Sequence, residues 1–448
     1  MSTVDSMKNK LVFACVVLAL FAMGAAAGSV AYSAVCLASW ANRTLLSEWL
    51  PYVLAISIGA LTIVTAYFTY RFVRQCSLQD PPKLKDDEVL PMTIIIPALN
   101  EERTIARCVE SIMSADYCKN KLEVIIAYEP PPRCTDSTPL LARRLAEKYE
   151  NVKAIPNKDG HRGTKAGAIN SCLKEASGTI IGIYDADHVV AKDALLRASA
   201  QFASDEKLAC LGGKVIIRDV NYNWFTALVG NECAVFNNFS RYVSQLFTGR
   251  HMVYGSNLFI RKEVLEAIGG FDESSLTEDC DLGMKLVCGN YPMKVDYSIK
   301  SYEQPAITVR DWWHQRVRWT WGGISVLKKY VKASSSNASG RSVKAFLLYS
   351  LGTTGILFSV VFMGFVGFML YMDVLTPMVL FICVAPLSVL FAAESIVDFC
   401  EGRGSVLDMA LSIFVRPFII CAYSLVGVYA LVMDALREDR AWHPNQRI

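Results

Sequence analysis

The sequence predicts an α/β domain with a parallel sheet, set between membrane-spanning helices at both ends of the chain. Three observations carry that prediction. Short apolar runs alternate with helical stretches from Thr93 to Tyr184, the pattern of strand–helix–strand units. Hydrophobic residues make up 53% of the 448, and mean hydropathy is +0.30. That excess is gathered into blocks at either end, while the stretch between them is of mixed polarity and long enough for one sizeable core.

The N-terminal blocks, Leu11–Trp40 and Leu50–Phe72, each hold ~20 or more mostly apolar residues, enough to cross a bilayer. The first exceeds the ~7–15 residues of a signal peptide's apolar region, so it reads as an anchor. Lys8 and Lys10 precede the first span; Arg71 and Arg74 follow the second. By the positive-inside rule both flanks face the cytosol, and the central domain with them. The intervening loop carries Asn42-Arg43-Thr44, a glycosylation acceptor where the host modifies that side. Three further blocks, Ala345–Tyr371, Leu375–Ala393 and Leu407–Met433, close the chain. Three full crossings would leave the tail outside, whereas Arg437, Arg440 and Arg447 argue for inside. Arg416-Pro417 interrupts the last block, which makes it the candidate for an interfacial half-crossing.

Between these blocks the elements follow in order. Thr93–Pro97 is a strand that runs into Asn100-Glu101-Glu102 and a helix through Ile112. Leu122–Ala127 is a second strand, followed by a helix over Pro139–Tyr149. Ala154–Pro156 is a third short strand, Lys165–Glu175 a helix, and Thr179–Tyr184 a fourth strand. In such a sheet ligands gather at the carboxyl ends of the strands. No G-x-G-x-x-G and no Walker sequence is present, which disfavours a dinucleotide or NTPase pocket. A net charge of +3 without a basic run gives no reason to expect nucleic acid as a partner. The 14 cysteines are scattered, with no C-x-x-C pair, so a zinc site is not expected and cytosolic thiols should be reduced.

Four motifs carry chemistry, and each has a plainer alternative. Asn157–Asn170 is a glycine-punctuated basic loop that brings Lys165 to a helix N-terminus, where backbone amides favour phosphate; a surface loop would read the same way. Asp185-Ala186-Asp187 ends the fourth strand. Its two carboxylates suit one Mg²⁺ or Mn²⁺ bridging phosphate oxygens, or else a simple turn. Thr277-Glu278-Asp279 opens a helix, as a general base or as a complement to the helix dipole. Arg310–Gly323 holds four tryptophans and three arginines. Gln315, Arg318 and Trp319 stand at i, i+3 and i+4 on one helical face, suited to a diphosphate and a sugar ring. An interfacial membrane helix would have the same composition.

Their order along the chain resembles the membrane-integrated family-2 glycosyltransferases, the group of cellulose, chitin, hyaluronan and poly-N-acetylglucosamine synthases. The resemblance covers residues from about 90 to 330 together with the flanking spans, and T-E-D with Q-x-x-R-W is its most specific part. It implies a GT-A-like (Rossmann-like) cytosolic domain at 88–305 between two N-terminal transmembrane helices in 1–80 and further helices in 343–434. An amphipathic helix at 306–332 and a polar tail at 435–448 complete the division. By the resemblance, Asp185 and Asp187 hold the metal, Mg²⁺ or Mn²⁺, and Asp185, Lys165, Gln315 and Arg318 the UDP-sugar. Asp279 is the catalytic base with Glu278 beside it, and Trp319 binds the acceptor. The family's uracil-contacting Asp is missing after the second strand. There the chain reads Ala127-Tyr128-Glu129-Pro130-Pro131-Pro132, so Glu129 or Asp136 takes that place.

The function implied is inverting transfer from a UDP-sugar to an acceptor hydroxyl. A processive β-glycan synthase at the plasma membrane is the first expectation, with Trp319 stacking on the terminal sugar of a growing glycan. The alternative is a non-processive enzyme that glycosylates a membrane lipid or polyprenyl phosphate, since five apolar blocks make a tight polymer channel. A catalytically silent membrane subunit would have lost a core acidic residue, and Asp185, Asp187 and Asp279 are all present.

Overall fold

The computed structural model describes residues 87–157, 163–220, 222–233, 240–334 and 419–436, with isolated positions at 63, 67, 70, 71, 84, 238 and 395. The chain divides into two compact units. One comprises residues 1–77, 231–239 and 356–427; the other comprises 78–230, 240–355 and 428–448. The sheet lies wholly in the second.

Its strands are β1 (Met92–Ala98), β2 (Leu122–Tyr128), β3 (Val152–Pro156), β4 (Ile180–Ile183), β5 (Val189–Val190), β6 (Cys210–Ile217), β7 (Leu258–Arg261) and β8 (Met293–Glu303). They form one eight-stranded sheet in the order β3-β2-β1-β4-β7-β6-β8-β5. The expected parallel sheet holds for β1 to β4. Beyond β4 the sheet is mixed, which corrects that expectation. β7 runs antiparallel to both β4 and β6, and β5 antiparallel to β8. Alternating strands and helices are visible in a sequence, but the direction in which a late strand re-enters the sheet is set by its edge partners.

Helices α1 (Ile105–Met113), α2 (Thr138–Lys148), α3 (Lys165–Cys172) and α4 (Ala194–Ser204) connect the first strands. α5 (Trp224–Cys233), α6 (Ser240–Thr248), α7 (Lys262–Ala267), α8 (Glu278–Cys288), α9 (Val309–Ser334) and α10 (Ile419–Leu436) follow. Period-two alternation sorts the strands' side chains between two cores. Ile94, Ile96, Val124 and Ile126 face one core, with α1, α2 and α4 over them. Ile95, Ile125, Ile181 and Ile183 face the other, beneath α3 and α8. Each such buried aliphatic contributes roughly 1.5–3 kcal/mol, so the strand ends are held on a rigid frame.

Strand order reverses between β1 and β4, where an open α/β sheet forms its ligand crevice. The β1–α1 turn, Glu129 after β2 and Asp185 after β4 all sit at the carboxyl ends of parallel neighbours. Among the described residues no helix is long and apolar enough to cross a membrane. The five apolar blocks, together with Asn42, fall largely outside those residues.

Candidate active site

Lys165 opens α3, and Thr164 caps that helix by accepting the Gly167 N–H at 2.9 Å. The cap aims the lysine at the end of β4. Its Nζ lies 2.5 Å from Asp185 Oδ1 and 3.8 Å from Glu278 Oε1, and donates to the Gly255 carbonyl at 2.8 Å. Burial alone would lower its pKa. Asp185, Glu278 and Asp279 outweigh that and hold the ammonium above the ordinary lysine range.

Glu278 and Asp279 occupy the first turn of α8, where the helix dipole favours negative charge. Burial nevertheless pushes both carboxyls up, Glu278 to about 7, while Lys165 and Arg318 draw them down. Asp279 Oδ1 also accepts the Cys280 N–H at 2.8 Å. A side chain at Gly255 would meet Lys165 Nζ at 2.8 Å and Asp279 Oδ2 and Glu278 Oε1 at 3.4 Å each. The three charged groups close around a backbone position that only glycine leaves open.

Asp185 is half-exposed and its backbone N–H donates to Ser256 Oγ at 3.0 Å. Asp187 is 4% exposed. Both act on the buried Cys108 thiol of α1, which burial first, and then Asp187, Asp185 and Glu101, push well above its ordinary pKa. The Lys165 ammonium against Asp185 marks a place where the carboxylates demand positive charge. Asp185 and Asp187 are hard oxygen donors that fit Mg²⁺ or Mn²⁺. No third His, Cys, Asp or Glu joins them in a ligand group among the described residues.

Glu129 lies beyond β2 and is 3% exposed. Its Oε1 accepts from Asn157 Nδ2 at 2.5 Å and from the Gly163 N–H at 3.2 Å. Its Oε2 is buried with no hydrogen-bond partner among the described residues. Asp136, the other position considered for base recognition, accepts the Thr138 and Glu102 N–H groups at 2.9 and 3.1 Å. It fastens the β2–α2 loop to the β1–α1 turn.

Gln315, Arg318 and Trp319 lie on α9, each partly exposed. Arg318 acts on both Glu278 and Asp279, which brings that face to the carboxylates. A side chain at Gly322 would overlap Thr277, so α9 passes directly over the start of α8. Lys329 latches the same two helices, 2.5 Å from buried Asp281 and 2.7 Å from Asp272. The sequence reading missed Arg316. It is 1% exposed, donates to Gln315 Oε1, and stands 4.3 Å from the Trp319 ring centroid and 5.9 Å from that of Trp312. Gly255-Ser256-Asn257 was missed as well; a small-polar triplet directly before an apolar strand is the only signal it leaves in the sequence.

Residues 180–395 match the profile of Glycosyl transferase family group 2. The chain is 30% identical over 271 residues to the β-monoglucosyldiacylglycerol synthase of Synechocystis sp., covering 59% of this chain and 55% of that protein. It is 26% identical over 262 residues to the poly-β-1,6-N-acetyl-D-glucosamine synthase of Staphylococcus aureus, covering 58% and 61%. It thus spans little more than half the length of these curated relatives. Its fold is similar to that of the mannosyltransferase PcManGT from Pyrobaculum calidifontis, solved with GDP-Man and Mn²⁺, at a TM-score of 0.54 and 20% identity. That similarity covers 86% of this chain and 99% of the other.

Proposed function

We propose that this chain is a family-2 glycosyltransferase that transfers a sugar from a nucleotide diphosphate-sugar, UDP-linked, to a hydroxyl of a membrane lipid with inversion at the anomeric carbon. The match of residues 180–395 to Glycosyl transferase family group 2 and the GT-A-like fold support that reading. The observation that carries the reaction class is the closure of Lys165, Glu278 and Asp279 around Gly255, with Asp185 against the same ammonium.

Asp279 takes the proton of the acceptor hydroxyl as that oxygen attacks the anomeric carbon. The bond from that carbon to the diphosphate oxygen breaks and its electrons leave with the nucleotide. Burial keeps the Glu278–Asp279 pair's proton affinity high enough to serve as a base near neutral pH. Lys165 and Arg318 offset charge on the departing diphosphate. Asp185 and Asp187 would hold Mg²⁺ or Mn²⁺, which when bound supplies further positive charge to the same oxygens. Glu129, with one carboxylate oxygen unspent, is suited to accept from the base of the nucleotide.

The lipid acceptor is supported by two facts. Three of the relatives matched at 29–30% identity are β-monoglucosyldiacylglycerol synthases. Arg316 also stacks on Trp319 at 4.3 Å, so part of the ring that a sugar platform needs is already engaged. A processive β-glycan synthase is the second reading. It is favoured by similarity to the poly-N-acetylglucosamine synthase and by the outer part of Trp319, which stays accessible. Membranes containing the full chain, incubated with each labelled UDP-sugar and Mn²⁺, should yield a solvent-extractable product of one size, resistant to polysaccharide-degrading enzymes. Label confined to a high-molecular-mass glycan would replace the lipid reading with the polymer one.

A further inference from the structure

We propose that Arg241 is a positioning residue for the transfer reaction: buried in α6, it fixes the segment Tyr254–Asn257 on which Lys165 and Asp185 are anchored. The proposal rests on the glycosyl-transfer reading above.

Arg241 is 1% exposed, and no acidic side chain pairs with it among the described residues. Burial lowers its pKa, and the groups that act on its charge are the phenols of Tyr297 and Tyr254 and the Cys210 thiol. A buried guanidinium without a carboxylate is costly, and truncating it to an apolar residue would relieve that cost. Its contacts show what the charge does instead. One terminal nitrogen donates to the Gly213 carbonyl at 2.9 Å, and the guanidinium carbon stands 4.8 Å from the Tyr254 ring centroid. Nε has no partner among the described residues. A side chain at Gly212 would overlap the guanidinium, so β6 is bare at the point where Arg241 lies on it.

From Tyr254 onward each residue carries one part of the site. The Gly255 carbonyl accepts from Lys165 Nζ at 2.8 Å. Ser256 Oγ accepts the Asp185 N–H at 3.0 Å. Asn257 is fully buried at φ +49°, a left-handed conformation that needs outside support. It donates to the Lys214 and Ile299 carbonyls at 3.0 and 3.1 Å, and accepts from Tyr184 Oη at 2.9 Å. Its carbonyl accepts the Gly213 N–H at 2.8 Å. Arg241 therefore grips both ends of the arrangement, the β6 strand at Gly213 and the segment at Tyr254. It touches none of Lys165, Asp185, Glu278 or Asp279, and acts through the backbone that orients them.

The test uses the full chain in detergent with Arg241→Met, which keeps length and removes charge. Hydrogen exchange at 254–257 should quicken at least about tenfold while β1 and β2 exchange as in the parent. The dissociation constant for UDP, measured without turnover, should rise about tenfold, a change that a uniform loss of stability would not produce. If Arg241→Met does not fold, Tyr254→Leu, which leaves Arg241 in place and removes its ring, is read by the same two measurements. Parental exchange at 254–257 with parental UDP affinity would overturn the proposal, as would faster exchange spread evenly over the sheet. If the parent neither binds UDP nor transfers any UDP-sugar, the functional reading falls, and the exchange measurement still decides the role of Arg241.

Discussion

Asp279 and Glu278 are the residues on which charge and burial conflict most sharply. Asp279→Asn should lose at least ~10²-fold in turnover, the scale of a general base, while UDP affinity changes little. An affinity that collapses with turnover intact would make Asp279 a binding residue. The raised Glu278 pKa fixes a second outcome. The folded protein holds that proton more tightly than the unfolded chain, whose ordinary value is 4.5. The stability it confers is therefore present below 4.5 and lost as pH rises through about 7. Turnover runs the opposite way, rising through the same range as the pair gives up its proton; a rate flat from pH 5 to 8 would contradict that assignment. Asp187→Asn, or excess chelator, should abolish transfer without unfolding the chain, because Lys165 and Arg318 alone do not offset a leaving diphosphate. At this scale the residue types were legible: Lys165, Asp185, Asp187, Glu278 and Asp279 can be picked out from local motifs. Gly255 could not, since its role is to be absent where three charged groups from distant segments meet.

Helix α9 shows what an element adds. The i, i+3, i+4 placement of Gln315, Arg318 and Trp319 is readable in the sequence, and the segment forms as one helix over Val309–Ser334. Which face turns inward was not readable. Gln315, Arg318 and Trp319 stay partly exposed, and Trp312, Arg316, Thr320 and Trp321 are buried. The segment is rich in arginine and tryptophan all round, so pattern alone does not choose a face. Two contacts hold the choice. Gly322→Val would force α9 off Thr277 and carry Arg318 away from Glu278 and Asp279; donor affinity should fall with the fold intact by circular dichroism. An unchanged affinity would show that the close approach is dispensable. Lys329→Met removes the partner of Asp281, which is 0% exposed, and of Asp272, which burial would raise but Lys329 and Ser274 hold at about 2. Lys329 is itself half-exposed and Lys285 remains 3.9 Å from Asp281, so the expected loss is modest, about 1–2 kcal/mol in denaturant unfolding.

Acceptor choice and membrane topology belong to the scale of the whole molecule. Trp319→Ala separates the acceptors. If a growing glycan is held on that ring, chain length should collapse while hydrolysis of the UDP-sugar persists; if a lipid is the acceptor, product size is unchanged and only its yield falls. We propose, from the charges at Lys8, Lys10, Arg71 and Arg74 and the positive-inside rule, that the catalytic unit faces the cytosol. A cysteine engineered at Lys158 should then resist an impermeant reagent added to intact cells, and one at Asn42 should react; the reverse pattern would invert the topology.

The sequence by itself determined the first four strands, the helices between them and the order of the charged motifs. Those features are local: an apolar run, a period, a carboxylate at a strand end. Only the tertiary structure decided that the sheet turns mixed after β4, that Glu129 rather than Asp136 is left with an unspent carboxylate oxygen, and that Tyr254–Asn257 lies beneath Lys165 and Asp185. Each of these joins residues far apart in the chain. Their proximity follows from how the strands pair and how the two cores close, and no window of neighbouring residues records that.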